Sequence, residues 1–260
     1  MSASAPPHTD PLFLDAVIGA VRAAGEVILA VYATDFAVRG KSDASPVTEA
    51  DERAEGVIVE ALQRLAPDIP IVAEEAVSAG AVVEVGDWFW LVDPLDGSKE
   101  FISRNGEFTV NIALVHQGAA VLGVVLAPAL DRLFAGVVGQ GAFVEQQGQR
   151  RAMQCRAVPA AGLTVVASRS HGDAAALDAF LAGRKVAALA NAGSSLKLCL
   201  VAAGEADLYP RLGRTMEWDI AAGHAVLSAA GGRVTDLQGQ LLRYGKTGFD
   251  NPHFVASGQA

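Results

Sequence analysis

Two apolar runs in the first hundred residues end abruptly in carboxylates. Trp88-Phe89-Trp90-Leu91-Val92 stops at Asp93-Pro94-Leu95-Asp96-Gly97, and a shorter run over residues 69–73 stops at Glu74-Glu75. Short apolar runs bounded by turn and acidic residues read as strands. Both place acids just past a strand's carboxyl end, where α/β proteins build their sites. Trp88 and Trp90 alternate along the second strand and read as packing on the faces of a sheet.

The rest of the chain supplies neighbours for such a sheet. Leu14, Val17, Ile18, Val21, Ile28, Leu29 and Tyr32 recur at helical spacing, so residues 10–32 read as a helix. Thr9 or Asp10 would cap it, with Pro11 in its first turn. Residues 39–46 are polar with Gly and Pro, hence a loop. Residues 48–65 read as a second helix, opened by Thr48 with Asp51 three positions on, close to a capping box, and stopped by Pro67. The most apolar stretch, residues 108–127, is interrupted by Asn111, His116, Gln117 and Gly118. It reads as a hairpin, strand 110–115, turn 116–118, strand 119–126, and not as a membrane span. Residues 131–145 add two short strands around Gly139 and Gly141.

Beyond Arg150 strands and helices alternate: strand 163–168, helix 173–182, strand 185–189, helix 194–203, strand 207–210, helix 220–230 and strand 234–237. Such alternation predicts a layered α/β fold. No repeat or low-complexity linker is visible. Residues 1–150 and 151–260 are expected to form two α/β subdomains packed on each other.

With 51% hydrophobic residues in 260, the chain can bury a sizeable core. A net charge of −9 argues against a nucleic-acid polymer as partner, because phosphate neutralisation needs clustered Lys and Arg. A small anion is still admissible, since bound metal reverses local charge. Cys155 and Cys199 are too few for a disulfide scaffold and lack CxxC spacing. They read as reduced thiols, which fits a cytoplasmic compartment. Residues 1–10 have neither the positive charge nor the apolar segment of a signal peptide.

Asp93 and Asp96 bracket a proline. Pro94 fixes φ and is expected to force a turn directly after the strand, aiming both carboxylates and the Leu95 carbonyl at one point. Gly97 allows close backbone approach, and Ser98 places a hydroxyl at a helix N-terminus. Hard oxygen ligands beside a phosphate-binding helix end suit Mg²⁺. The bland alternative is an ordinary type I or II turn, since Asp, Pro and Gly are all turn residues. Glu74, Asp51 and Asp219, each at the edge of an apolar run, weigh against it.

Asp93-Pro94-Leu95-Asp96-Gly97-Ser98 resembles the metal-binding signature of the inositol monophosphatase superfamily. Ala73-Glu74-Glu75 resembles its glutamate motif, and Glu217-Trp218-Asp219-Ile220-Ala221-Ala222-Gly223 its C-terminal signature. Ser45-Pro46-Val47-Thr48-Glu49-Ala50-Asp51 also matches. The resemblance implies an αβαβα sandwich and a Mg²⁺-dependent phosphomonoesterase with two to three ions per site. Glu74, Asp93 and the Leu95 carbonyl would hold one ion; Asp93, Asp96 and Asp219 a second, with Asp93 bridging. A third, looser ion would lie near Glu74, with Lys41 close by, and lithium should then inhibit. Ser98 stands where the family has a threonine that helps activate the attacking water, and Asp51 matches the acid that hydrogen-bonds it. Glu75 reads as a supporting residue, and Trp218 as packing the turn that presents Asp219. Four ligand carboxylates carry about −4, which two Mg²⁺ cancel and a third reverses.

Within that superfamily, local stretches resemble the bacterial 3′(2′),5′-bisphosphate nucleotidases. These are residues 99–111, Ser168-Arg169-Ser170-His171, Ser194-Ser195-Leu196-Lys197 and Leu208-Tyr209-Pro210-Arg211. The resemblance implies that His171, Ser194, Lys197 and Arg211 contact a bisphosphate nucleotide, alongside Gly97, Ser98 and Asp219. A substrate with two phosphates needs cations away from the metal centre, which supports this. The bland readings are a solvated loop for His171, a snorkelling side chain for Lys197 and a polar surface turn for Arg211. The expected substrate is adenosine 3′,5′-bisphosphate, cleaved to AMP and phosphate. Rival readings are an inositol or sugar monophosphatase with the same metal centre, or a silent nucleotide sensor, which should have lost a metal ligand. Oligomeric state, including a homodimer, and peripheral association with the inner membrane are not legible in the sequence.

Overall fold

The computed structural model describes residues 10–40, 46–47, 49–168 and 174–258. Helix α1 (Pro11–Tyr32) starts where Asp10 accepts the Phe13 N–H at 2.7 Å, and Pro11 at the first position loses no helical hydrogen bond. It packs with α2 (Glu49–Leu65). Thr48 and its expected capping role lie outside the described residues. Between the helices, β1 (Arg39–Gly40) pairs antiparallel with β2 (Pro46–Val47), so the ends of the expected loop close into a two-residue ladder.

A seven-stranded sheet follows: β3 (Ile71–Ala73), β4 (Trp88–Asp96), β5 (Thr109–His116), β6 (Ala119–Ala127), β7 (Arg132–Val137), β8 (Gly141–Gln146) and β9 (Gln149–Met153). The strands lie side by side in chain order, β3 parallel to β4 and every later pair antiparallel. Strand β9 was not expected; only Met153 in it is buried, so it carries little hydrophobic pattern. Helix α3 (Glu74–Ser78) begins directly where β3 ends, and α4 (Ser98–Ile102) follows β4.

A second, five-stranded sheet has the order β11-β10-β12-β14-β13. It is built from β10 (Leu163–Ser168), β11 (Val186–Ala192), β12 (Leu208–Arg211), β13 (Arg233–Asp236) and β14 (Phe254–Ser257). Its helices are α5 (Ala174–Leu181), α6 (Leu196–Ala202) and α7 (Glu217–Ala229). Strand β14, unseen in the sequence, pairs with both β12 and β13 and is only four residues long.

The side chains sort into layers by strand parity. Trp90, Val92, Ile112, Leu114 and Val124 face α1 and α2. Phe89, Leu91, Ala113, Val115 and Val125 face α6 and α7, which in turn touch Tyr209, Val234 and Phe254 of the second sheet. Beyond that sheet, Leu177, Phe180 and Leu181 of α5 pack on Val165 and Leu208. The expected αβαβα sandwich is the observed one. Small residues set the spacing at its centre: a Cβ on Gly123 of β6 would lie 2.2 Å from the Ala222 oxygen of α7. The helix bearing Asp219 therefore lies hard against the sheet bearing Asp93.

Candidate active site

The Asp93–Asp96 segment is not a turn that ends a strand. Asp93 pairs with Asn111 and Asp96 with Thr109, and the two residues between form a bulge inside β4. Pro94 is tolerated because a bulged residue owes no N–H to the ladder. Leu95 turns its N–H back to Asp93 Oδ1 at 3.0 Å. The bulge brings Asp93 and Asp96, either side of the Leu95 carbonyl, to the sheet's edge. Gly97, at φ 91°, makes the reversal that L side chains resist, and Ser98 opens α4.

Helix α2 presents two carboxylates one turn apart. Asp51, 1% exposed, lies 3.5 Å from the Ser98 hydroxyl. Glu55 accepts the Glu75 N–H at 2.7 Å and the Ala76 N–H at 2.9 Å. It thereby caps α3 and fixes Glu74, the first residue of that helix. Glu55 was missed in the sequence, where the signal is an acid on the apolar stripe of α2 between Ala54 and Ile58. Glu75 contributes its backbone N–H to this cap, in keeping with a supporting role.

Asp219 sits in the first turn of α7, where its Oδ2 accepts the Met216 N–H at 2.9 Å. Trp218, 4% exposed, packs near Phe249 at 5.9 Å between centroids. Glu217, fully buried, receives the Gly245 N–H at 2.6 Å, the Lys246 N–H at 3.0 Å and the Lys246 ammonium at 2.5 Å. Asn251 ties the same segment to the Met216 carbonyl at 2.7 Å. The start of α7 is thus clamped by the 244–251 segment.

Asp93, Asp96 and Asp219 each give one oxygen to a backbone N–H. Burial raises the pKa of all three. The charges of Glu74, Asp96 and Asp219 add to the rise at Asp93, and those of Asp96 and Glu74 add to it at Asp219. Asp96 rises to about 6, with Lys197 and the Ser195 N–H opposing the shift. Among the described residues no three acidic, thiol or imidazole side chains lie grouped so as to hold a metal ion between them. Asp93, Asp96 and Asp219, with raised pKa values, together with Glu74 are nonetheless a cluster of negative charge, and their hard oxygens fit a divalent cation such as Mg²⁺.

Asp96, Ser98, Ser194, Arg211 and Asp219 line one open cavity of about 230 Å³. Arg211, whose charge opposes the rise at Asp219, ends β12 instead of sitting in a surface turn. Its Nη2 donates to the Arg214 carbonyl at 2.9 Å, while its buried Nε has no protein partner. The buried Ser194 hydroxyl likewise has none, and Ser194 holds φ at 46°. Lys197 does not snorkel. It is 3% exposed, bonds the Ala192 and Ser194 carbonyls at 3.2 and 2.5 Å, and lies over the Tyr209 ring. Burial pulls its pKa down to about 8. His171 and Lys41 lie outside the described residues. Cys155 and Cys199 are buried free thiols, with pKa values raised by burial.

The inositol monophosphatase family profile matches residues 12–258. The 3′(2′),5′-bisphosphate nucleotidases CysQ of Shigella flexneri and of Escherichia coli K12 are 48% and 47% identical to this chain, each over 94% of it and 99% of the relative. The crystal structure of CysQ from Bacteroides thetaiotaomicron superimposes with a TM-score of 0.79 at 38% identity, covering 95% of this chain and 97% of that one. An inositol monophosphatase from Anabaena follows at 0.74 and 28%, covering 95% and 90%. With its fold, its three acidic motifs and nearly its whole length shared, the chain belongs to the inositol monophosphatase family.

Proposed function

We infer that this protein is a 3′(2′),5′-bisphosphate nucleotidase that hydrolyses adenosine 3′,5′-bisphosphate to AMP and phosphate. The observation that carries this reading is one cavity whose lining sets Arg211 and Ser194 beside the acids Asp96 and Asp219 and the Ser98 hydroxyl. A monophosphate ester would use only the acids and the metal they hold. A second phosphate suits the Arg211 guanidinium, a cation in the same cavity that no metal-bound phosphate would need. The names of the relatives at 47–48% identity agree.

The family is one of metal-dependent phosphatases, and Glu74, Asp93, the Leu95 carbonyl, Asp96 and Asp219 would hold two to three Mg²⁺ here. Bound there, the metal supplies neutralising charge and Lewis-acid polarisation of the phosphoryl group. The protein's own groups do the rest. Asp51 accepts from Ser98, which leaves the Ser98 oxygen oriented to take a proton from an attacking water. Gly97 lets the backbone before α4 approach the phosphate closely. Residues 1–150 supply this side, and residues 151–260 complete the site with Asp219, Ser194 and Arg211. Lys197 holds the turn that carries Ser194, and His171 is assigned to the nucleotide.

Ser98 keeps the hydroxyl of the family's threonine without its β-methyl, so its rotamer is less constrained. Among the described residues no helix is long and apolar enough to cross a membrane.

A phosphate-release panel with and without Mg²⁺ tests the reading. Charge-assisted bonds to a second phosphate are worth about 1.5–3 kcal/mol, so kcat/KM should be roughly 10- to 100-fold higher for adenosine 3′,5′-bisphosphate than for inositol 1-phosphate. Equal or better turnover of inositol 1-phosphate overturns it.

A further inference from the structure

Asp96 is held in a way that its partner aspartates are not. Its Oδ2 accepts a backbone N–H at 2.6 Å from Ser195, 99 positions away and just before α6. Among the described residues no hydrogen bond reaches its Oδ1. Behind Oδ2 lies a sealed polar cluster: Thr109 and Asn111 of β5 are fully buried and Ser195 is 2% exposed. Thr109 and Asn111, two apart on one strand, point to the same face.

The donors in this cluster can be assigned. An ionised Asp96 only accepts, so Asn111 must present Nδ2 to Oδ2, at 3.5 Å. That orientation turns Asn111 Oδ1 to the Ser195 hydroxyl, which donates to it at 2.7 Å. Ser195 has then spent its one proton, so Thr109 donates to Ser195 Oγ at 2.9 Å. The chain runs one way, from Thr109 through Ser195 and Asn111 to Asp96, and the Ser195 N–H closes a ring.

We propose that Ser195 and Asn111 are positioning residues for the metal site. The ring dedicates Asp96 Oδ2 to the protein and leaves Oδ1 aimed at the cation. It also makes metal affinity depend on the seating of α6 from the second half against β5 from the first. This rests on the assignment of Asp96 as a metal ligand, and the test separates the two ideas.

Substrate-free protein is titrated with Mg²⁺ in a calorimeter, and thermal stability is measured alongside. Wild-type protein should bind. Ser195→Ala keeps the backbone N–H but frees Asn111 to rotate; as for other groups that orient metal ligands, it should weaken Mg²⁺ by about tenfold or more. Ser195→Thr restores the hydroxyl and should return affinity to within about twofold of wild type. KM for the phosphate ester at saturating Mg²⁺ should stay within about twofold in both. Equal Mg²⁺ affinity in wild type and Ser195→Ala, or a loss of stability alone, overturns the proposal. Absence of binding by wild type overturns the ligand assignment beneath it. Should Ser195→Ala not fold, Thr109→Val is close in shape and should weaken Mg²⁺ about threefold; no shift there overturns the proposal equally.

Discussion

The two sides of the acidic cluster are built by different means. On the sheet side, Asp93 and Asp96 hang from a bulge in a strand whose ladder resumes beyond it. Asp93 is held within the bulge by the Leu95 N–H, and Asp96 takes its aim from outside it, from the Ser195 N–H and the Asn111 amide. On the helix side, Asp219 rides the first turn of α7, and its aim is set by the helix itself, which caps on Asp219 and is clamped by Glu217 and Asn251. A strand interrupted by a bulge fixes position and leaves direction to its neighbours. A helix N-terminus fixes both, provided the helix cannot move. The sheet side should therefore fail first in metal affinity, and the helix side first in stability.

The largest expected break is on the sheet side. Asp96→Asn removes a ligand charge from the site without removing volume. If metal supplies several kcal/mol of transition-state stabilisation, kcat should fall by roughly a thousandfold. The fold should survive, because the substitution relieves like-charge repulsion in a desolvated cluster. A phosphate-release assay beside a thermal melt checks both halves. Retained turnover removes Asp96 from the ligand set.

Glu217→Ala is the matching break on the helix side, and its signature should be reversed. It leaves the Gly245 and Lys246 N–H groups and the Lys246 ammonium without their buried acceptor. Removing one partner of a buried pair costs about 3 kcal/mol at the low end, and Lys246, about a third exposed, recovers some water. A stability loss near 3 kcal/mol in urea unfolding is expected, with Mg²⁺ affinity falling only as far as the folded fraction does. If instead Glu217→Ala folds at full stability and loses metal, the division of labour between the two sides is wrong.

The same contrast separates what the sequence discloses from what it hides. Asp93, Asp96, Gly97 and Ser98 lie within six residues and announce themselves. So do Glu74 and Asp219, each at the end of an apolar run. The residues that aim these ligands do not: Ser195 and Asn111 are 84 positions apart, and Glu55 and the Glu75 N–H it caps are 20 apart. Asn111 reads in the sequence only as a flaw in an apolar run. Pro94 misleads for a different reason. Local rules make it a turn former, but pairing of Asp96 with Thr109 carries the ladder past it. Strand β14 is invisible because four residues hold too few alternations to register, and its place is set by β12 and β13.

The smallest of the three effects isolates the helix side by pH. His224 lies on α7 five residues beyond Asp219, is 8% exposed, and shares a 2.7 Å hydrogen bond through Nδ1 with the hydroxyl of Tyr244, at the head of the clamping segment. Burial lowers its pKa to about 4, against 6.5 for an exposed imidazole. Between those values the unfolded chain binds the proton and the folded chain does not, so stability rises with pH. The contribution of the neutral, buried ring is thus fully present above pH 6.5 and is lost as pH falls toward 4. From pH 7 to pH 5 the loss should be about 2 kcal/mol. His224→Gln keeps a polar partner for Tyr244 but cannot titrate, so its stability should vary over that range by about 2 kcal/mol less than wild type. Equal slopes for the two proteins in urea unfolding at pH 5, 6 and 7 would show that the clamp on α7 is insensitive to His224. In that case the acid sensitivity of the molecule would have to arise on the sheet side.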